Sequence, residues 1–186
     1  FVLAITVLRI FTLLAKLGLD TTSVRFIASF AKKDKWKSII LFRRKIVLLI
    51  CITSVVSSIT MYFLSFSISS LLDVKRQYLQ IASFFVLPMT FFILHYQSLK
   101  GLKRIAEFSF FYRISQTTFT IISIYIISIF VKDDIVPVYA YLSALIIVSL
   151  LSYFTYRFSF FKIKKVNPEE VIEDLKFKNI LKISIP

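Results

Sequence analysis

The chain has 186 residues, 58% hydrophobic side chains including 21 Phe, a mean hydropathy of +0.81 and a formal net charge of +14. Soluble domains are about half apolar and a quarter charged, so this composition excludes an ordinary water-soluble domain and marks an integral membrane protein. The Lys and Arg residues fall between apolar runs instead of gathering on one soluble face, which excludes a nucleic-acid binder and makes the charge a matter of topology.

Five apolar runs are long enough to cross a bilayer core, which takes about 20 mostly apolar residues per helix. The first begins FVLAITVLRIFTLLAKLGLD, is apolar from Phe1 to about Leu17 and is expected to continue helically to Phe30, a span over residues 1–30. It carries Arg9 and Lys16 at membrane depth, where a charge is costly and normally faces a partner or water. On one continuous helix, Arg9, Lys16 and Asp20 fall within roughly 40° of one another, with Ser23 beside them and Thr12 at the edge. Lys16 and Asp20 are four apart and placed to pair. Arg25 points to the opposite side of that helix unless Gly18 marks a bend.

The second span covers residues 46–66. Its Ser54 and Ser58, small residues four apart, predict a helix-packing face, and Cys51 reads as a small buried apolar residue. The third covers 79–99. Pro88 near its middle predicts a kink, which either accompanies gating or follows from packing, and His95 is either part of a proton relay or an interfacial histidine with its polar groups satisfied. The fourth covers 108–131 and repeats the polar stripe: Ser109, Arg113, Gln116 and Thr120 are spaced by four, three and four, with Thr117 and Ser123 flanking and Phe111, Ile114, Ile122 and Tyr125 opposite. Two spans with cation-bearing stripes predict a shared polar interior. Lys16 and Arg113 lie near the ends of their runs, so snorkelling to the interface is an open alternative for both. Arg9 lies deeper and is read either as a cavity cation or as a buried structural pair.

The fifth span covers 135–156, with Tyr139, Tyr141, Tyr153 and Tyr156 near its ends as an aromatic belt. Residues 161–179 form a connection in which NPEEVIEDLKFKN predicts a short amphipathic helix, capped by Asn167 with Pro168 in its first turn, and residues 180–186 begin a further span.

Basic residues in the successive connections number nine, two, four, one and seven. Cytoplasmic connections are enriched in Lys and Arg, so the first, third and fifth are expected in the cytoplasm. Phe1 is then outside. With a Phe start and an apolar run beginning at LKISIP, the chain is expected to be a fragment of a longer protein with an odd number of spans upstream. The two Gly residues build no phosphate-cradling loop, and one His with one Cys makes no usual zinc site. The reading is therefore of a protein that is not an enzyme and uses no cofactor or metal.

Several strings resemble one family. LAKLGLDTTSVRFIASFAKKDKWKSI, through Gly18-Leu19-Asp20, Arg25-Phe26-Ile27-Ala28 and a basic loop with Asp34 and Trp36, resembles the end of the second span and the following loop of polysaccharide-repeat flippases and exporters of the MATE-like superfamily. LKGLKRI, Leu99 to Ile105, looks like that family's connection between spans four and five, and LKISIP like its entry to span seven. The resemblance implies spans two to six of a first six-helix lobe, within a two-lobe transporter of twelve or more helices. It also implies alternating access and a polyprenyl-pyrophosphate-linked oligosaccharide as substrate, in a bacterial cytoplasmic membrane, with polysaccharide polymerase and chain-length machinery as possible partners. Only Gly18, Asp20, Arg25 and the Lys100 to Arg104 loop match family positions; Arg9, Lys16, Arg113, Gln116, Thr117 and Thr120 rest on the stripe argument. A cation-coupled multidrug exporter of the same superfamily, a membrane-embedded glycosyltransferase or polymerase, and a purely structural subunit are the alternatives.

Overall fold

The structure, a computed structural model, describes residues 2–130, 132 and 135–163. The elements follow the apolar runs. Helices α1 (Val2–Lys16) and α2 (Leu19–Lys32) divide the first run, α3 (Trp36–Leu72) carries the second, and α4 (Arg76–Ser83) and α5 (Val86–Gly101) divide the third. The fourth is α6 (Ile105–Ser109), a π-helical segment Phe110–Ser115 and α7 (Gln116–Phe130), and the fifth is α8 (Val136–Ile163). All regular structure among the described residues is helical. Among the described residues three helices are long and apolar enough to cross a membrane, and up to five spans result if each bent pair is one span. The amphipathic helix expected near 167–179 and the span expected from 180 lie outside the described residues.

The first run is not one straight helix. It bends by 50° at Leu17 and Gly18, whose φ angles are 47° and 72°. Gly18 adopts this left-handed conformation without a Cβ clash. Its carbonyl, freed by the turn, accepts from the Thr22 N–H at 3.2 Å and the Thr21 hydroxyl at 2.9 Å. The third run bends by 49° between α4 and α5. Pro88 stands in the first turn of α5, and four residues back is Phe84, so the absent N–H and the ring together stop the helix from running straight through Phe84 and Phe85. Helix α3, at 37 residues, is longer than its apolar run at both ends. Its length of about 55 Å exceeds a hydrocarbon core of about 30 Å, so its basic Trp36–Lys45 portion extends past the apolar zone.

Packing centres on α5, which lies against α1, α2, α3 and α8 and is buried around its circumference, from Phe92, Ile93 and Leu94 to Ser98 and Leu99. Helix α7 is the opposite case. It packs along α8 and buries only Ser123, leaving Ile121, Tyr125, Ile129 and Phe130 exposed. Lys32 at the end of α2 and Asp34 just after it, Leu102 and Lys103 after α5, and Ile163 at the end of α8 line one depression, so the first and third connections and the end of the fifth run gather at one end of the bundle. Val74 from the second connection and Ile135 at the start of the fifth run join one cluster with Ala4 and Leu142 at the other end.

Three outward or inward assignments change. Cys51 is exposed, because the buried face of α3 runs through Ile46, Ile50, Ser54, Ser57 and Met61. Of the tyrosines expected in a belt on the fifth span, Tyr139 is exposed but Tyr141 and Tyr156 are buried in the bundle. Phe111, expected to face outward, is also buried.

Helices α2 and α5 meet at Gly101. A Cβ there stands 3.0 Å from Cβ and Cγ2 of Ile27 and 3.2 Å from the Val24 carbonyl oxygen, so α2 itself has to move to admit a methyl group. Gly101→Ala is expected to destabilise the bundle by about 1–3 kcal/mol, read as a lower unfolding midpoint in a denaturing-detergent titration. An unchanged midpoint contradicts this close approach.

Candidate functional site

Helices α1 and α7 stand on either side of a groove of about 290 Å³, with Tyr141 of α8 between them. Arg9 lines it from α1, with Thr6 one turn earlier on the same face; Gln116, Thr117 and Thr120 line it from α7. The groove thus joins members of both polar stripes. Arg9 is exposed and has no side-chain partner among the described residues. The Gln116 amide donates to the Tyr141 carbonyl at 3.4 Å, while its Oε1 is buried without a partner. Thr120 donates to the Gln116 carbonyl at 2.6 Å, which leaves its oxygen lone pairs as acceptors. One guanidinium, one amide and three threonine hydroxyls therefore border an otherwise apolar trough formed with Val2, Ile5 and Ile121. Such a set has the donors and acceptors needed to hold an anion beside hydroxyl-bearing groups.

Arg113 does not join it. The sequence expectation carried the spacing of an ideal α-helix from Arg113 to Gln116, whereas Phe110–Ser115 is a π turn with i→i+5 pairing. The wider turn shifts the angular register, so Arg113 is exposed away from the groove and Phe111 turns inward against Phe92, with ring centroids 6.4 Å apart. Ser115, fully buried, donates to the Phe111 carbonyl at 2.9 Å within the same turn.

Lys16 and Asp20 form an ion pair at 2.9 Å with side chains 17% and 11% exposed, outside the groove. Lys16 is the last residue of α1 and Asp20 stands in the first turn of α2, so the pair spans the bend. Each charge also complements its own helix terminus, cation at the C-terminal end and carboxylate at the N-terminal end. Pairing takes Lys16 out of the snorkelling reading. Ser23 and Thr12 are buried nearby, and Thr12 donates to the Leu8 carbonyl at 2.7 Å. Arg25 is exposed on α2 and does not line the groove.

Pro88 and His95 line a second recess, between α5 and α8, together with Ser149 and Tyr153. His95 is buried, stacked on Phe91 at 6.1 Å and edge-on to Tyr153 at 5.4 Å, with Nδ1 lacking a partner. Its Nδ1 thus lacks the partner expected of a satisfied histidine, and its contacts among the described residues are aromatic rings instead of a hydrogen-bonded chain. The Pro88 carbonyl accepts from the Ser149 hydroxyl at 3.3 Å, which ties the kink to α8.

Sequence reasoning overlooked Thr6 and Tyr141. Thr6 precedes Arg9 by three residues, a same-face spacing that was visible. Tyr141 was assigned to the interface because its position in the run carries no sign of which way the helix faces. The ion pair across the bend predicts a mutational asymmetry: Asp20→Leu strands the Lys16 ammonium in a partly buried site, whereas Lys16→Leu with Asp20→Leu removes both charges. The double variant is expected to unfold later than Asp20→Leu alone, with a coupling of about 1–2 kcal/mol in a double-mutant cycle. Comparison with protein-family models, with curated proteins and with solved structures returned no match, so the chemistry of these residues carries the functional reading.

Proposed function

We propose that this chain is part of a membrane transporter that moves lipid-linked oligosaccharide or polysaccharide repeat units across a bacterial cytoplasmic membrane by alternating access. The observation that carries the proposal is the groove in which Arg9 faces Gln116, Thr117 and Thr120. A polyprenyl-pyrophosphate sugar needs a cation for the phosphates, hydroxyl and amide groups for the glycan, and an apolar flank for the lipid. Those three requirements match Arg9, the α7 polar groups, and the Val2, Ile5 and Ile121 side chains.

The groove volume of about 290 Å³ lies at the low end for small-molecule sites, so it suits the pyrophosphate and first sugar. The rest of the repeat unit would lie against a second lobe. Asp20, the carboxylate nearest to membrane depth in the first run, is engaged by Lys16. That pairing does not favour a coupling-ion site of the kind a cation-driven drug exporter needs.

The test is Arg9→Gln in cells carrying the intact protein, with Arg9→Lys and Arg113→Gln alongside. Loss of a charge-assisted contact is expected to lower surface polysaccharide by about tenfold and to raise the inner-leaflet lipid-linked precursor. Arg9→Lys should retain part of the export, and Arg113→Gln should leave it near wild type. Normal export by Arg9→Gln at normal protein level would overturn the proposal.

A further inference from the structure

A second cationic groove lies on another side of the bundle. It has a volume of about 260 Å³, runs between α3 and α8, and is lined by Arg43, Arg44 and Arg157. Arg43 and Arg44 precede the second apolar run by one turn or less, and Arg157 follows the fifth directly, so the three guanidinium groups meet where the apolar zone ends. No carboxylate lines the groove among the described residues. The walls are aromatic and aliphatic, with Tyr153, Tyr156 and Phe160 from α8 and Val47 from α3.

Arg43 is the most informative of the three. Its guanidinium lies 3.3 Å over the Tyr156 ring, which holds the plane by a cation–π contact and leaves the N–H edges to point elsewhere. Its Nη1 is buried and has no hydrogen-bond partner. A buried, unpaired guanidinium N–H is costly, and the planar fork matches a phosphate in a bidentate arrangement. Arg157 is already positioned by donating to the Tyr153 hydroxyl at 3.2 Å. Arg44 is exposed at the rim.

We propose that the groove between α3 and α8 binds the phosphodiester headgroup of an anionic phospholipid through Arg43, Arg44 and Arg157. Free phosphate would satisfy the guanidinium groups but leave the apolar walls wet, whereas a phospholipid covers them with its glycerol ester and upper acyl chain. A zwitterionic headgroup brings an ammonium group toward three arginines and is disfavoured. Basic pockets between membrane helices have this preference for anionic headgroups in general. The site requires only a bilayer around the bundle and is independent of the transport reading, since it shares no residue with the Arg9 groove.

The test is native mass spectrometry of the intact detergent-solubilised protein with phosphatidylglycerol and phosphatidylethanolamine of matched acyl chains. Retention of phosphatidylglycerol is expected to exceed that of phosphatidylethanolamine by about tenfold. Arg43→Gln with Arg157→Gln should abolish the difference, and Arg9→Gln should preserve it. Arg157→Gln alone changes an exposed side chain, keeps the fold, and should cost several-fold in retention. Equal retention of the two lipids, an unaltered preference in the double variant, or displacement of the lipid by an equal concentration of inorganic phosphate would each overturn the proposal.

Discussion

A helix interrupted inside a bilayer leaves backbone groups that no water reaches, and each of them needs a partner from the protein. This bundle meets that constraint with hydroxyl side chains from neighbouring helices. At the α4–α5 break the Ser58 hydroxyl donates to the Ser83 carbonyl at 2.7 Å, and Ser149 reaches the Pro88 carbonyl. The Ser54 and Thr90 hydroxyls meet at 2.8 Å one turn further into α5. The same helix α3 reaches α1 through Ser57, which donates to the Phe11 carbonyl at 2.8 Å. The break induced by Pro88 is therefore a junction at which α3 and α8 are both joined to the α4–α5 pair by hydroxyl-to-carbonyl hydrogen bonds.

From that junction follow the positions of both cationic grooves. With α5 occupying the interior, α8 packs along it and carries α7 on its far side, away from the buried helix. Helix α7, almost unburied, is left to face α1 across the Arg9 groove, while α3 passes α8 closely enough for Arg43 to stack on Tyr156. In each groove a guanidinium borders apolar walls and lacks an acidic neighbour in the lining. The two differ in how firmly the cation is held. Arg43 is fixed by an aromatic ring beneath it, whereas Arg9 is exposed and free of side-chain partners among the described residues. A cation held by a ring suits a resident lipid and one without a partner suits a passing substrate, and the functional proposals divide along that line.

Much of the fold was legible in the sequence. The five apolar runs correspond to the helical segments in order, and the first and third connections gather at one end, as successive spans running in alternating directions require. The Lys16–Asp20 pair followed from a spacing of four, and it forms although the chain bends by 50° between the two residues. The candidate site was legible only in part. Arg9, Gln116, Thr117 and Thr120 stand together as their stripes suggested, but Arg113 was misplaced by one π turn, and no run of Phe, Tyr and Ile announces where a helix widens. Arg43, Arg44 and Arg157 registered only as topological charge, since their meeting depends on two helices more than a hundred residues apart in the chain.

What the sequence determined by itself was the number and order of the apolar runs, the cost attached to each charge within them, and the pairing that a spacing of four allows between Lys16 and Asp20. Helical periodicity and the cost of burying charge act within one segment, so one segment suffices to read them. The tertiary structure alone decided which stripes face one another, which carbonyls need a hydroxyl from elsewhere, and which cations find an aromatic ring. Those outcomes depend on the rotation and axial offset of helices against their neighbours, and close packing of side chains from several runs sets both at once.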